Sequence, residues 1–269
     1  MAGVRQSQGV VASGRFRAGF LRAAAAILSC AAIYPFAAGG AEPRSDVPKV
    51  AVIYTIATPA LKEGVEKAVR EEFGGRVEIL RYEDAAVFEE TAKAGRVGRE
   101  AAARFLEMYS DAARSGALAV LSVCSTVSDL ACSMRETGEL AGVPIVNIND
   151  EMCREAARLG KRILVVSTLP SAADPVGRSV LRAAAQLGRE VEVSKEVVGG
   201  GLDTGAEALK VMISEKLRAR ADSADVIVFA QASMEPCAGY VGAVCGKRVM
   251  TSPKFGAKAL KSALAGGKE

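Results

Sequence analysis

Residues 49–59 read KVAVIYTIATP and residues 162–171 read RILVVSTLPS, and this pair decides the fold. Each is an apolar, largely β-branched run that ends in hydroxyl residues and a proline. A strand with no polar alternation is buried on both faces, which is the habit of parallel sheets covered by helices on either side. The hydroxyls and the proline mark the turn into a following helix. Six more runs have strand character, at 76–81, 117–123, 143–148, 190–194, 224–229 and 248–251. The stretches between them repeat apolar residues at helical spacing: Leu61, Val65, Ala68 and Val69; Ala101, Phe105 and Met108; Val180, Leu181, Ala184 and Leu187.

The strands fall into two sets of four with matching landmarks. The third strand of the first set runs into Cys124-Ser125-Thr126, and that of the second into Gln231-Ala232-Ser233. A duplicated unit follows. The expected fold class is α/β with two pseudo-symmetric lobes, each a four-stranded parallel sheet with flanking helices, and an active-site cleft between them. The first lobe is expected over 47–150, joined by a C-terminal helix within 251–269, and the second over 151–250. In such sheets polar loops gather at the carboxyl ends of the strands, so two facing lobes bring their loops to one cleft.

Composition narrows the chemistry. The 269 residues include no histidine and no tryptophan, which excludes a Ser-His-Asp triad, an HExxH zinc site and a two-histidine iron site. The formal charge of +4 comes from the amino-terminal arginines Arg5, Arg15, Arg17 and Arg22, which leaves the rest neutral. With aromatics at 5%, a nucleic-acid partner is not expected.

Ala23 to Ala38 is an apolar run behind those arginines and before Gly39-Gly40-Ala41, the layout of a signal peptide over residues 1–41. It is too short for a comfortable span, so no stable membrane span is expected in the mature chain. Export is the expectation if this leader is real, with Cys30 a loose match to a lipidation site; otherwise the protein is cytoplasmic. The Gly199-Gly200-Gly201 run lacks a following Lys-Ser/Thr and reads as a turn, not a phosphate loop.

Beyond the leader the cysteines are Cys124, Cys132, Cys153, Cys237 and Cys245, with no CxxC and hence no zinc knuckle or thioredoxin-type pair. Cys132, Cys153 and Cys245 read as small buried hydrophobes. Cys124 ends an apolar strand and precedes Ser125, Thr126, Val127 and Ser128, which are expected to open a helix. Backbone N–H groups and the positive end of a helix dipole favour a thiolate there, and the same N–H groups can hold a substrate carboxylate.

The ordered set TIATP, VCST, STLPS, DVIVFAQASM and VMTSPKFGAKAL, spread over residues 49–265, resembles the aspartate/glutamate/hydantoin racemase superfamily. The resemblance implies a metal-free, pyridoxal-free isomerase in which two cysteines flank the substrate; one removes the α-proton and the other returns one on the far face. The family's first cysteine falls on Cys124. Its second falls on Gln231, whose amide cannot trade a proton at neutral pH. Cys237 is the candidate replacement. The chain is therefore expected to be a cofactor-independent racemase-like enzyme acting on a small amino acid or related carboxylate. The alternatives are a decarboxylase or cis-trans isomerase using one cysteine, or a non-catalytic exported carboxylate-binding protein. A homodimer is kept as one option.

The hydroxyls of Thr55, Thr58, Ser125, Thr126, Thr168, Ser171 and Ser233, with Gln231, are the candidate substrate-binding set. Capping of the following helices is the competing use of the same hydroxyls.

Overall fold

The structure is a computed structural model that describes residues 47–200 and 204–266. The leader expected over 1–41 lies outside the described residues. Eight strands form: β1 (Lys49–Tyr54), β2 (Glu78–Glu83), β3 (Val120–Ser122), β4 (Ile145–Asn147), β5 (Arg162–Ser167), β6 (Glu192–Val197), β7 (Val226–Phe229) and β8 (Arg248–Met250). The helices are α1 (Pro59–Glu72), α2 (Ala85–Ala94), α3 (Arg99–Arg114), α4 (Ser128–Ser133) and α5 (Arg135–Leu140) in the first half. They continue with α6 (Asp150–Leu159), α7 (Pro170–Gln186), α8 (Ala206–Leu217), α9 (Ala238–Cys245) and α10 (Ser252–Gly266).

The strands make two four-stranded sheets, ordered β2-β1-β3-β4 and β6-β5-β7-β8, with every pairing parallel. The two orders are the same order used twice. β1 and β5 are buried from their second residue onward, as two-sided apolar strands must be. The edge strands β2 and β6 alternate between exposed and half-buried positions.

Each sheet is sandwiched by helices. On the first, Val50, Val52 and Leu121 pack with Val65 and Val69 of α1 and with Ala257 and Leu260 of α10, while Ile53 and Val120 pack with Phe105 of α3 on the other face. On the second, Val165 and Val228 meet Met152 of α6 and Val176 and Val180 of α7, and Leu164 and Ile227 meet Ile213 of α8 and Val241 of α9. The helical stripes expected from sequence are these buried faces, with one exception. Leu181 is 49% exposed, because α7 turns Ala173, Val176, Val180 and Ala183 inward and leaves 181 on its outer side.

α10 leaves β8 in the second sheet and lies against the first. Gly256 permits that approach: a Cβ there would stand 2.6 Å from Ile148 Cγ1 and 3.1 Å from its Cα. At the opposite end of the second sheet, Asp225 ties β7 to β5 by accepting from the backbone N–H groups of Lys161 (3.0 Å) and Arg162 (2.9 Å) and from the Arg162 guanidinium.

Register decides what the strand ends bring together. Ile53, Ser122 and Asn147 are aligned across the first sheet, and Val166 and Phe229 across the second. The residues one or two beyond these positions therefore converge at the carboxyl edges: Thr55, Cys124 and Asn149 on one side, Thr168 and Gln231 on the other.

Candidate active site

The first sheet contributes a thiol. After β3 the chain passes Val123 to Cys124 and enters a 3-10 turn at Ser125–Val127, followed by the six-residue α4. The expected helix behind the thiol is thus too short to supply a full dipole; what remains at Cys124 is a tight turn and its N–H groups. Cys124 is half-buried, Ser125 and Thr126 nearly fully buried.

A hydrogen-bonded block holds this turn. The Asn149 side-chain amide donates to Ser125 Oγ at 3.1 Å and approaches Ser128 Oγ at 3.5 Å. Asn147 Oδ1 accepts from the Asn149 backbone N–H at 3.1 Å. Ser125 in turn donates to the carbonyl of Ala230, at the end of β7. That bond crosses from one sheet to the other. Two buried acceptors in this region, Thr55 Oγ1 and Asn149 Oδ1, have no hydrogen-bond partner among the described residues.

The second sheet contributes Gln231, 9% exposed, and it is fixed by the end of β5. Its Oε1 accepts from the Thr168 N–H at 2.7 Å and from the Ser167 hydroxyl at 3.0 Å, and its Nε2 donates to Thr168 Oγ1 at 2.8 Å. Gln231 also begins a 3-10 turn, Ala232–Cys237, so the two strand ends that face each other are both followed by 3-10 geometry.

These ends enclose one pocket. Cys124, Ser125 and Thr126 line it from the first half, and Gln231, Ala232 and Ser233 from the second; Ile56, Leu61, Phe88 and Leu169 supply apolar walls. It holds about 50 Å³, room for roughly three or four waters. A larger cleft of about 570 Å³ adjoins it, and Thr126 lines both.

The remaining candidates lie elsewhere. Thr55 is wholly buried, and Thr58 caps α1, accepting from the Leu61 N–H at 3.2 Å. Thr168 is taken up by Gln231, and Ser171 opens on the larger cleft instead. Cys237 is in the core of the second half, where the 3-10 turn points its sulfur at the Ala206 carbonyl, 3.5 Å away. Burial pushes its thiol upward, as it does those of Cys153 and Cys245. A loop swinging Cys237 into the cleft is therefore not what the chain builds. Cys132 and Cys245 are half-buried, not core, while Cys153 is fully enclosed. Among the described residues no three His, Cys, Asp or Glu side chains are grouped as metal ligands, and no helix is long and apolar enough to cross a membrane.

Two matched parallel sheets with a thiol at the end of one and a pocket between their carboxyl edges define a two-lobed α/β protein with a cysteine-bearing cleft. The fold recurs in solved structures. Glutamate racemase isoform RacE1 from Bacillus anthracis superposes with a TM-score of 0.61 at 15% identity, covering 82% of this chain and 83% of that one. Allantoin racemase from Klebsiella pneumoniae gives 0.56 at 17% identity over 82% and 89%. Arylmalonate decarboxylase gives 0.52 at 13% identity over 81% and 92%. No curated protein matches the sequence. The family profile described as Asp/Glu/Hydantoin racemase matches residues 50–260, and the chain belongs to that family.

Proposed function

We propose that the cleft binds a small carboxylate-bearing carbon acid and that Cys124 moves the proton at its α-carbon without a cofactor. The observation that carries this reading is the placement of Cys124 with Ser125 and Thr126 in the pocket where the two sheets' carboxyl edges meet. The thiolate takes the α-hydrogen as a proton, leaving an enolate whose charge is held by hydroxyl and N–H donors of the turn. The Ser125 hydroxyl proton is already given to Ala230, so Thr126 and Ser233 are the hydroxyls free to face the carboxylate.

Gln231 shapes the outcome. Its amide neither accepts nor releases a proton at neutral pH, so the face opposite Cys124 lacks a general acid. Return of the proton to the same face gives exchange without inversion, and inversion requires water to deliver it. The same arrangement favours a second reading, decarboxylation of a malonate-type acid, because loss of CO2 leaves an enolate that needs one proton from one thiol. Export through the leader at 1–41 is part of the proposal, and a reporter fused to residues 1–45 tests it.

The test is α-proton exchange in D2O by NMR with aspartate, glutamate, hydantoins and malonates, using wild type and Cys124→Ala. The expectation is exchange or CO2 release that disappears in Cys124→Ala while the circular dichroism is unchanged. Equal rates in the two proteins refute the assignment.

A further inference from the structure

The adjoining cleft carries information about the substrate. Thr126, Asp129 and Leu130 line it from the first half, and Pro170, Ser171 and Arg178 of α7 from the second. The link between α2 and α3 also lines it. Gly95 ends α2 in the left-handed region (φ 68°), and Val97 packs against the first sheet's core, so Arg96 is held between two anchored neighbours on the cleft wall.

Charge on these walls is almost fully paired. Asp129 accepts from Arg178 at 2.6 Å and from Arg182 at 2.7 Å, and Asp174 pairs with Lys195. Arg96 forms no ion pair or hydrogen bond among the described residues. Among the described residues lining the cleft, Arg96 is thus the cation left without a partner. The volumes add a second observation: the space does not end beside Cys124, where the pocket measures about 50 Å³, but continues past Thr126 into a further 570 Å³ or so.

Building on the proton-transfer reading of Cys124, we infer that the substrate is not a bare amino acid but a carbon acid with an extended anionic tail. Its reacting carbon and carboxylate occupy the pocket at Cys124, and its tail runs past Thr126 into the larger cleft to meet Arg96. Arg96 is then a specificity-determining residue that reads the tail and takes no part in proton transfer.

The test uses N-succinylalanine and N-glutarylalanine, their ω-amides, and alanine. Exchange at the α-carbon is followed in D2O with wild type, Arg96→Ala and Arg96→Lys, and binding to Cys124→Ala, with and without Arg96→Ala, by calorimetry. The expected result is a preference of about tenfold in kcat/KM for carboxylate tails over amide tails, a ratio that falls to about one in Arg96→Ala, with the loss carried by KM, and that Arg96→Lys partly restores. Alanine exchanged as fast as the acylated compounds, or an Arg96→Ala effect equal on acid and amide, overturns the inference while leaving the Cys124 chemistry standing. Absence of exchange in all compounds, with Arg96-dependent binding of the acid tails, removes the proton-transfer reading and keeps the tail site. Absence of both exchange and Arg96-dependent binding overturns the tail site itself.

Discussion

Gln231→Cys joins stability and stereochemistry in one experiment. The Gln231 amide is the shared acceptor for the Thr168 N–H at 2.7 Å, the Ser167 hydroxyl at 3.0 Å and the Thr168 hydroxyl at 3.1 Å. A cysteine Sγ sits where the glutamine Cγ does, two bonds short of these donors, and leaves them. Ser167 keeps the Leu169 carbonyl at 2.6 Å as an alternative partner. The Thr168 N–H has none, and a buried donor left without an acceptor costs about 1–3 kcal/mol. The Thr168 hydroxyl loses less, because water from the enlarged pocket reaches it. Together the cost is about 2–3 kcal/mol, or about 5–10 °C in Tm for a unit of this size. Urea titration and calorimetry measure it, and a loss under about 0.5 kcal/mol refutes the claim that this amide ties the second sheet's edge together. On the proposed reading the same variant puts a proton carrier on the face opposite Cys124. In D2O, chiral chromatography should show inversion rising relative to exchange, and an unchanged ratio removes position 231 from the far side of the substrate.

Three further outcomes follow from the geometry. Gly256→Ala drives a methyl into Ile148, and although alanine is the better helix former, the overpacking should leave the protein about 1–3 kcal/mol less stable in urea unfolding; a gain in stability would show that α10 is not seated as described. Cys237→Ala should leave α-proton exchange within twofold of wild type and cost about 1 kcal/mol as a small cavity in the second core, and loss of exchange would return Cys237 to the chemistry. The Arg162 guanidinium and two backbone N–H groups hold the Asp225 carboxyl down at about 2, below its ordinary 3.8. A depressed carboxylate contributes stability that is present above its unfolded value and lost as pH falls through the folded one. The gap between wild type and Asp225→Asn in urea midpoint should therefore close from pH 4 to pH 2, and a gap that stays constant there contradicts the pairing.

The sheets were legible because burial on both faces leaves an unmistakable apolar run. A strand forms within or beside each of the eight expected runs, but 117–123 shrinks to Val120–Ser122 and 143–148 to Ile145–Asn147, and two edge strands shift: 76–81 becomes Glu78–Glu83 and 190–194 becomes Glu192–Val197. Their ends shifted because an edge strand alternates with charged residues, so composition marks its extent poorly. The pairing of Cys124 with Gln231 in one pocket was legible from the repeat of the two lobes. The direction of Cys237 was not, since six residues of 3-10 turn, unlike loop or α-helix, decide where that sulfur points. Nor were Asn149 and Arg96 visible. A lone asparagine in a turn and a lone arginine after a glycine have no periodicity to betray them, and only tertiary contact reveals that one braces Ser125 and the other faces a cleft. The hydroxyl set divided as the capping alternative implies: Thr58 went to α1, and Thr126 and Ser233 to the pocket.

The bond from Ser125 to the Ala230 carbonyl sits one residue from the thiol and spans the two halves. If the halves part to admit a molecule, that bond must break, while the Asn149 amide keeps Ser125 Oγ as its acceptor because both stand in the first half. A tie between the halves so close to the thiol makes the place of the sulfur depend on how the halves sit.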